Sequence, residues 1–165
     1  MPDYQWRRAV PGDVPRIAEI SSIALAAYPE EPAIFQELLA LAPDGCFVME
    51  MDGAIVGYLV GHPWMKGRPP ALNQTIGTLP ESPDCWYLHD LSLLESARGF
   101  GAAREAVRLA AAASRAAGLD VVALVAVNGA GGFWRAQGFG PLEPEQGREG
   151  IASYGDDAIY MERQV

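Results

Sequence analysis

Two short stretches carry the residue types that chemistry needs: Tyr87-Leu88-His89-Asp90-Leu91-Ser92-Leu93 and Arg98-Gly99-Phe100-Gly101-Ala102-Ala103. In the first, His89 titrates near neutrality and can take or give a proton, or can serve as a hydrogen-bonded histidine in a half-buried strand. Asp90 beside it can bind a cationic substrate or fix a loop. In the second, an arginine precedes two glycines that let backbone approach a ligand. The first amides of a helix beginning there lack internal partners and carry partial positive charge. Such a turn can cradle a pyrophosphate. It can equally be a tight turn that needs positive φ at Gly99 or Gly101 and holds nothing. Two familiar phosphate loops are excluded. The P-loop ends in Gly-Lys-Ser/Thr, whereas Gly101 is followed by Ala102-Ala103, and the dinucleotide fingerprint needs a third glycine where Arg104 stands.

The elements that must position these stretches follow from periodicity. Residues 4–10 have strand composition, and Asp13 stands where it can cap a helix whose apolar stripe is Val14, Ile17, Ala18, Leu25 and Tyr28. Ser21 is the polar gap in that stripe, and Pro29 ends it. Ile34, Phe35, Leu38 and Leu39 give a second, shorter helix. Residues 46–51 and 54–60 read as a hairpin across Asp52-Gly53, since both turn residues tolerate positive φ. Residues 62–84 are irregular and rich in proline, and a connection that long is either a binding loop or a mobile insert. Residues 86–94 form a strand, 101–117 a helix stopped by Gly118, and 119–127 a buried strand parallel to its neighbour. A short helix at 131–137, a turn at Gly138-Phe139-Gly140-Pro141 and a last strand at 158–162 complete a mixed sheet flanked by helices.

Composition bounds the function classes. A chain of 165 residues, half of them apolar, makes one domain over residues 1–165. A net charge of −9 argues against general affinity for nucleic acid or anionic membrane, and suits cationic small molecules or plain solubility. The first ten residues lack an apolar run and carry Arg7 and Arg8, unlike a secretory signal. The longest apolar run, residues 121–127, is about a third of a membrane span. Cys46 and Cys85 have no metal-ligand spacing and read as buried thiols. The expectation is a cytoplasmic protein without a metal.

The glycine stretch resembles the Arg/Gln-x-x-Gly-x-Gly/Ala signature of the Gcn5-related N-acetyltransferases. Its context strengthens the resemblance: a strand precedes it, Asn128 closes the next parallel strand, and Phe133-Trp134-Arg135-Ala136-Gln137-Gly138-Phe139 is similar to the family's aromatic-x-x-x-Gly-Phe ending. The opening run from Arg7 to Pro15 is also typical. The resemblance covers nearly the whole chain, with residues 62–84 the least typical part.

The resemblance implies a single α/β domain in which two parallel strands splay to receive acetyl-CoA. It implies main-chain contacts from Leu91, Ser92 and Leu93 to the pantetheine arm. The pyrophosphate would sit on amides of Gly99, Phe100, Gly101, Ala102 and Ala103, with Arg98 beside it. Asn128 and Trp134 would lie near the thioester. The implied reaction is direct attack by a neutral amine of a small molecule or peptide, with His89 or Tyr87 at the family's base positions. An amide near Leu91 would hold the oxyanion. Strict alternation puts Tyr87, His89, Leu91 and Leu93 on one face and Leu88, Asp90, Ser92 and Leu94 on the other. Trp134 stands where many members carry a tyrosine that protonates the CoA thiolate. Indole cannot do so, which leaves Tyr87, Tyr154 or solvent. Trp64 can wall the acceptor pocket or pack against the sheet. Many relatives pair as homodimers. The same features allow a CoA-binding module without turnover, or a structural domain that has lost the cofactor.

Overall fold

The computed structural model describes residues 3–142, 151–155 and 157–165. Seven strands form one sheet in the order β1-β2-β3-β4-β5-β7-β6. They span Tyr4–Arg8 (β1), Cys46–Met51 (β2), Ala54–Trp64 (β3), Cys85–Leu93 (β4), Val121–Ala126 (β5), Gly140–Pro141 (β6) and Ile159–Gln164 (β7). The helices are Val14–Ala24 (α1), Pro32–Leu41 (α2), Ala102–Ala116 (α3) and Gly131–Ala136 (α4). All neighbouring strands run antiparallel except β4 and β5.

That exception makes the site. β4 and β5 are paired only at Trp86 with Val122 and Tyr87 with Ala123. From Leu88 onward β4 has no ladder partner on its β5 side, so the strands part and leave main chain facing a gap. This is the expected splayed parallel pair.

Each face of the sheet has its own core. Leu59, Trp86, Leu88, Val122 and Leu124 pack against Ala106, Val107 and Ala110 of α3. On the other face, Val48, Tyr58 and Val60 pack against Ile17 and Ile20 of α1 and Phe35 and Leu38 of α2. Every buried position of α3 before Ser114 is alanine except Val107, so the helix can lie close to the sheet. Gly118, at φ +76°, stops it as expected.

Four local expectations change. Asp13 does not cap α1; its carboxylate accepts from the Val10 amide at 2.8 Å and from both terminal nitrogens of Arg7, at 2.8 and 3.0 Å. That bidentate pair lowers the Asp13 pKa. α1 ends at Ala24, short of Tyr28. β3 continues through His62-Pro63-Trp64, and Pro63 is tolerated because β2 pairing has already ended at Val60. Gly140-Pro141 adds a short strand where a plain turn was expected.

Among the described residues, no helix is long and apolar enough to cross a membrane. Cys46 and Cys85 are buried free thiols, as their spacing suggested.

Candidate active site

The glycine loop joins the end of β4 to α3. Gly99 and Gly101 both adopt positive φ, +94° and +88°, which a side chain would strain. An added Cβ at either would meet nothing within 4 Å, so open space lies before both. α3 has no side-chain cap, and its first internal bond is from the Glu105 amide to the Gly101 carbonyl at 3.1 Å. The amides of Ala102, Ala103 and Arg104 are therefore free for a ligand. β1 fixes this helix end: Trp6 Nε1 donates to the Ala102 carbonyl at 3.2 Å, and the Tyr4 hydroxyl to Glu105 at 3.0 Å. Arg98 is held through Nε to the Leu93 carbonyl at 3.2 Å.

One cavity of about 770 Å³ runs from this loop, along the open edge of β4, to a buried polar cluster. Arg98, Gly99, Gly101, Ala102, Ala103 and Arg104 line one end, and Leu91, Ser92, Leu93, Asn128 and Trp134 its middle. A free amide row, two arginines and an unpaired strand edge fit a diphosphate carrying a linear arm. Among the described residues, no group of three or more His, Cys, Asp or Glu side chains is placed to hold a metal ion.

The cluster at the other end depends on a β-bulge. Val60 faces Asp90 and Gly61 faces Leu88, so His89 is an extra residue in β4. The bulge corrects the simple alternation. Leu91 and Leu93 join Trp86 and Leu88 on the α3 face, while Asp90 joins Tyr87 and His89 on the face under α1 and α2. His89 and Asp90 thus share a site, where strict alternation separates them.

His89 Nε2 lies 2.8 Å from a Glu30 oxygen, both side chains being 1% exposed. Glu30 lies in the loop between α1 and α2, where its own amide donates to Ser21 Oγ at 3.0 Å. The polar gap in the α1 stripe is thus the anchor of that loop. The second Glu30 oxygen accepts from the Asn73 amide at 3.0 Å. Asp90 accepts from the Tyr58 hydroxyl and, at 3.0 Å, from Ser92 Oγ. Among the described residues, His89 Nδ1 and His62 Nε2 are buried ring nitrogens without a protein partner.

Electrostatics divide these groups. Burial alone lowers the His89 pKa, but the carboxylate of Glu30, helped by Asp90, carries the net direction upward. Burial, reinforced by Glu30, pushes the Asp90 carboxyl up to about 6. His62 has no such carboxylate; burial and the neighbouring His89 take it down to about 3, so it is neutral.

The other expected site residues are placed as follows. Tyr87 is buried beneath the cluster, outside the cavity lining, and its hydroxyl lies 3.4 Å from that of Tyr154. Burial holds its pKa well above 10, so it keeps its proton and is no base at neutral pH. Tyr154 does line the cavity and donates to the Pro70 carbonyl at 3.3 Å. Trp64 lies outside the lining: its Nε1 donates to the Arg68 carbonyl at 2.8 Å and its ring meets His62 edge-on, so it packs rather than walls the pocket. The Phe100 ring meets Tyr4 at a tilt, with centroids 5.1 Å apart, and Phe100 lies outside the cavity lining. Trp134 is buried between Phe133 and Phe139. Arg104 lines the cavity as well. Glu30 and Leu72 line it without having been named from the sequence, and Leu25 and Tyr28, expected there only as part of a helix stripe, line it too.

A family model described as the acetyltransferase (GNAT) family matches residues 15–139. By sequence alone, none of the curated proteins matches the chain. Among solved structures, the loading GNATL domain of CurA from Lyngbya majuscula superposes with a TM-score of 0.80 at 11% identity, covering 98% of both chains. GphF GNAT-like decarboxylase in complex with isobutyryl-CoA gives 0.77 at 16%, covering 97% of this chain and 98% of that one. N-acetylglutamate synthase from Neisseria gonorrhoeae, complexed with coenzyme A and N-acetyl-glutamate, gives 0.72 at 19%, over 98% of this chain and 35% of that one. At these identities the likeness is one of fold.

Proposed function

This chain belongs to the acetyltransferase (GNAT) family, and from that premise we propose that it is an N-acetyltransferase moving an acetyl group from acetyl-CoA to a primary amine. Acetyl-CoA, when bound, supplies an acyl group activated as a thioester. Arg98, Arg104 and the amides from Gly99 to Ala103 would hold its pyrophosphate, and the main chain of Leu91, Ser92 and Leu93 its pantetheine arm. Asn128 and Trp134 would stand by the thioester.

His89 is the general base. Nε2 keeps its hydrogen and donates it to the Glu30 carboxylate, which orients the ring and stabilises the imidazolium, while Nδ1, without a protein partner among the described residues, takes the proton of the acceptor amine. Asp90, ionised above about pH 6, holds the acceptor as an ammonium before that proton is lost. Burial raises the Tyr154 pKa well above that of a thiol, and its hydroxyl already donates to the Pro70 carbonyl, so the released thiolate takes its proton from solvent rather than from a phenol standing in for the tyrosine that Trp134 replaces. The observation that carries this reading is a histidine whose one nitrogen is bound to a buried carboxylate and whose other is unpartnered, in the same cavity as the open glycine loop.

The same two carboxylates disfavour an acyl group bearing a carboxylate of its own, and so disfavour decarboxylation. Incubation with acetyl-CoA and a panel of amines is expected to release free thiol and an equal amount of acetylated amine, read by mass. Tight CoA binding with no thiol released across the panel would instead mark a CoA-binding module without turnover.

A further inference from the structure

Resting on the amine-transfer reading, we propose that the acceptor is a small primary monoamine with an apolar body and no carboxylate. Beyond His89 the cavity is walled by Leu25, Tyr28, Leu72 and Tyr154, and its charges there are the carboxylates of Glu30 and Asp90. The arginines in the lining, Arg98 and Arg104, both belong to the glycine loop and the start of α3. Among the described residues, the acceptor end therefore offers an acceptor carboxylate no arginine or lysine; the His89 imidazolium is already bonded to Glu30, and two carboxylates are there to repel an anion. An ammonium gains from both. Among the described residues His89 Nδ1 has no protein partner, and His89 itself lines the cavity, which makes it the polar group here without a second bond.

Size follows from how residues 65–84 are tied down over this end. The Asn73 amide is bound to Glu30 at 3.0 Å, and the Ile76 and Gly77 amides to Glu37 of α2 at 2.7 and 3.0 Å. The Leu72 amide donates to Ser153 Oγ at 2.8 Å, and the Pro70 carbonyl accepts from Tyr154. The segment is thus a fixed cover, bonded to α2 on one side and to residues 153–154 on the other. An extended peptide would have to break these bonds, whereas a small amine would not.

The test uses the full chain and four kinds of acceptor: 2-phenylethylamine and hexylamine; L-phenylalanine and L-glutamate; spermidine; and the tripeptide Ala-Phe-Leu. Binding is read by calorimetry in the presence of CoA, and transfer by thiol release from acetyl-CoA. The two monoamines are expected to bind and turn over with kcat/KM at least about tenfold above every other acceptor. An amino acid, the polyamine or the tripeptide equalling 2-phenylethylamine overturns the inference, as does failure of both monoamines to bind. The two readings fail separately. Monoamine binding without thiol release keeps the acceptor class and removes the reaction. Thiol release with glutamate or the peptide alone keeps the reaction and removes the class.

Discussion

On one face of β4, Trp86, Leu88, Leu91 and Leu93 turn toward α3, into or beside apolar core; on the other, Tyr87, His89, Asp90 and Ser92 turn into a polar cluster under α1 and α2. Both faces belong to nine consecutive residues, Cys85–Leu93, and most of those residues are buried. They differ in what burial does. On the apolar face it removes carbon from water and stabilises the fold. On the polar face it forces each group to find a partner, and it shifts the pKa values of those that ionise. One inserted residue separates the two outcomes. The bulge at His89 lets a histidine and the following aspartate point the same way while the leucines on either side keep facing α3. A site of this kind is held against the preference of the buried charge, as is common where function and stability compete.

The sharpest way to break the comparison is to remove one residue from each face. His89→Ala should lower acetyl transfer by about a hundredfold or more while leaving CoA affinity within about twofold, measured by steady-state rates and calorimetry. Unchanged transfer would remove His89 as the base. Trp86→Ala, on the apolar face and outside the cavity lining, should do the reverse, costing about 3–5 kcal/mol in denaturant unfolding, with the folded fraction retaining its rate.

A smaller effect tests the electrostatic half. The Asp90 pKa rises from 3.8 to about 6 on folding, so its stabilising contribution is complete below 3.8 and is lost as pH climbs through 6. Tyr58, Ser92, Glu30 and His89 are the polar groups that face it. Wild-type stability should therefore fall by up to about 3 kcal/mol across that window relative to Asp90→Asn, in unfolding curves from pH 4 to pH 7. Arg7–Asp13 supplies the opposite case, since the lowered Asp13 pKa gives stability that is lost only as pH falls below 3.8.

The two ends of the cavity were unequally legible in the sequence. The cradle from Arg98 to Ala103 is local: glycines, an arginine and a helix start lie within six residues, and their geometry follows from φ and from unpaired amides. The parallel run of β5 beside β4 was legible in its apolar composition, whereas the splay was implied by the family resemblance and the spatial strand order was not read from the sequence. The polar cluster is not local. Glu30 reaches His89 across 59 residues, and nothing in Tyr28-Pro29-Glu30-Glu31-Pro32 tells the buried glutamate from the exposed one. Ser21 was visible as a gap in an apolar stripe, and that gap was the one signal pointing toward the loop that carries Glu30. The bulge left no mark either, because Leu88-His89-Asp90-Leu91 reads as plain alternation until its pairing with β3 is known. Trp64 stayed open between wall and packing for the same reason: only the fold shows it at the end of β3, facing His62 rather than the cavity.

The central claim is that Glu30 sets His89 as the base, and the pH dependence of kcat/KM in wild type and Glu30→Gln tests it most directly. Glu30 raises the His89 pKa. The wild-type rate should therefore rise with pH through a limb above 6.5, and Glu30→Gln should move that limb to lower pH while lowering its plateau by about tenfold. A limb at the same pH in both proteins, with the plateau unchanged, would contradict the account.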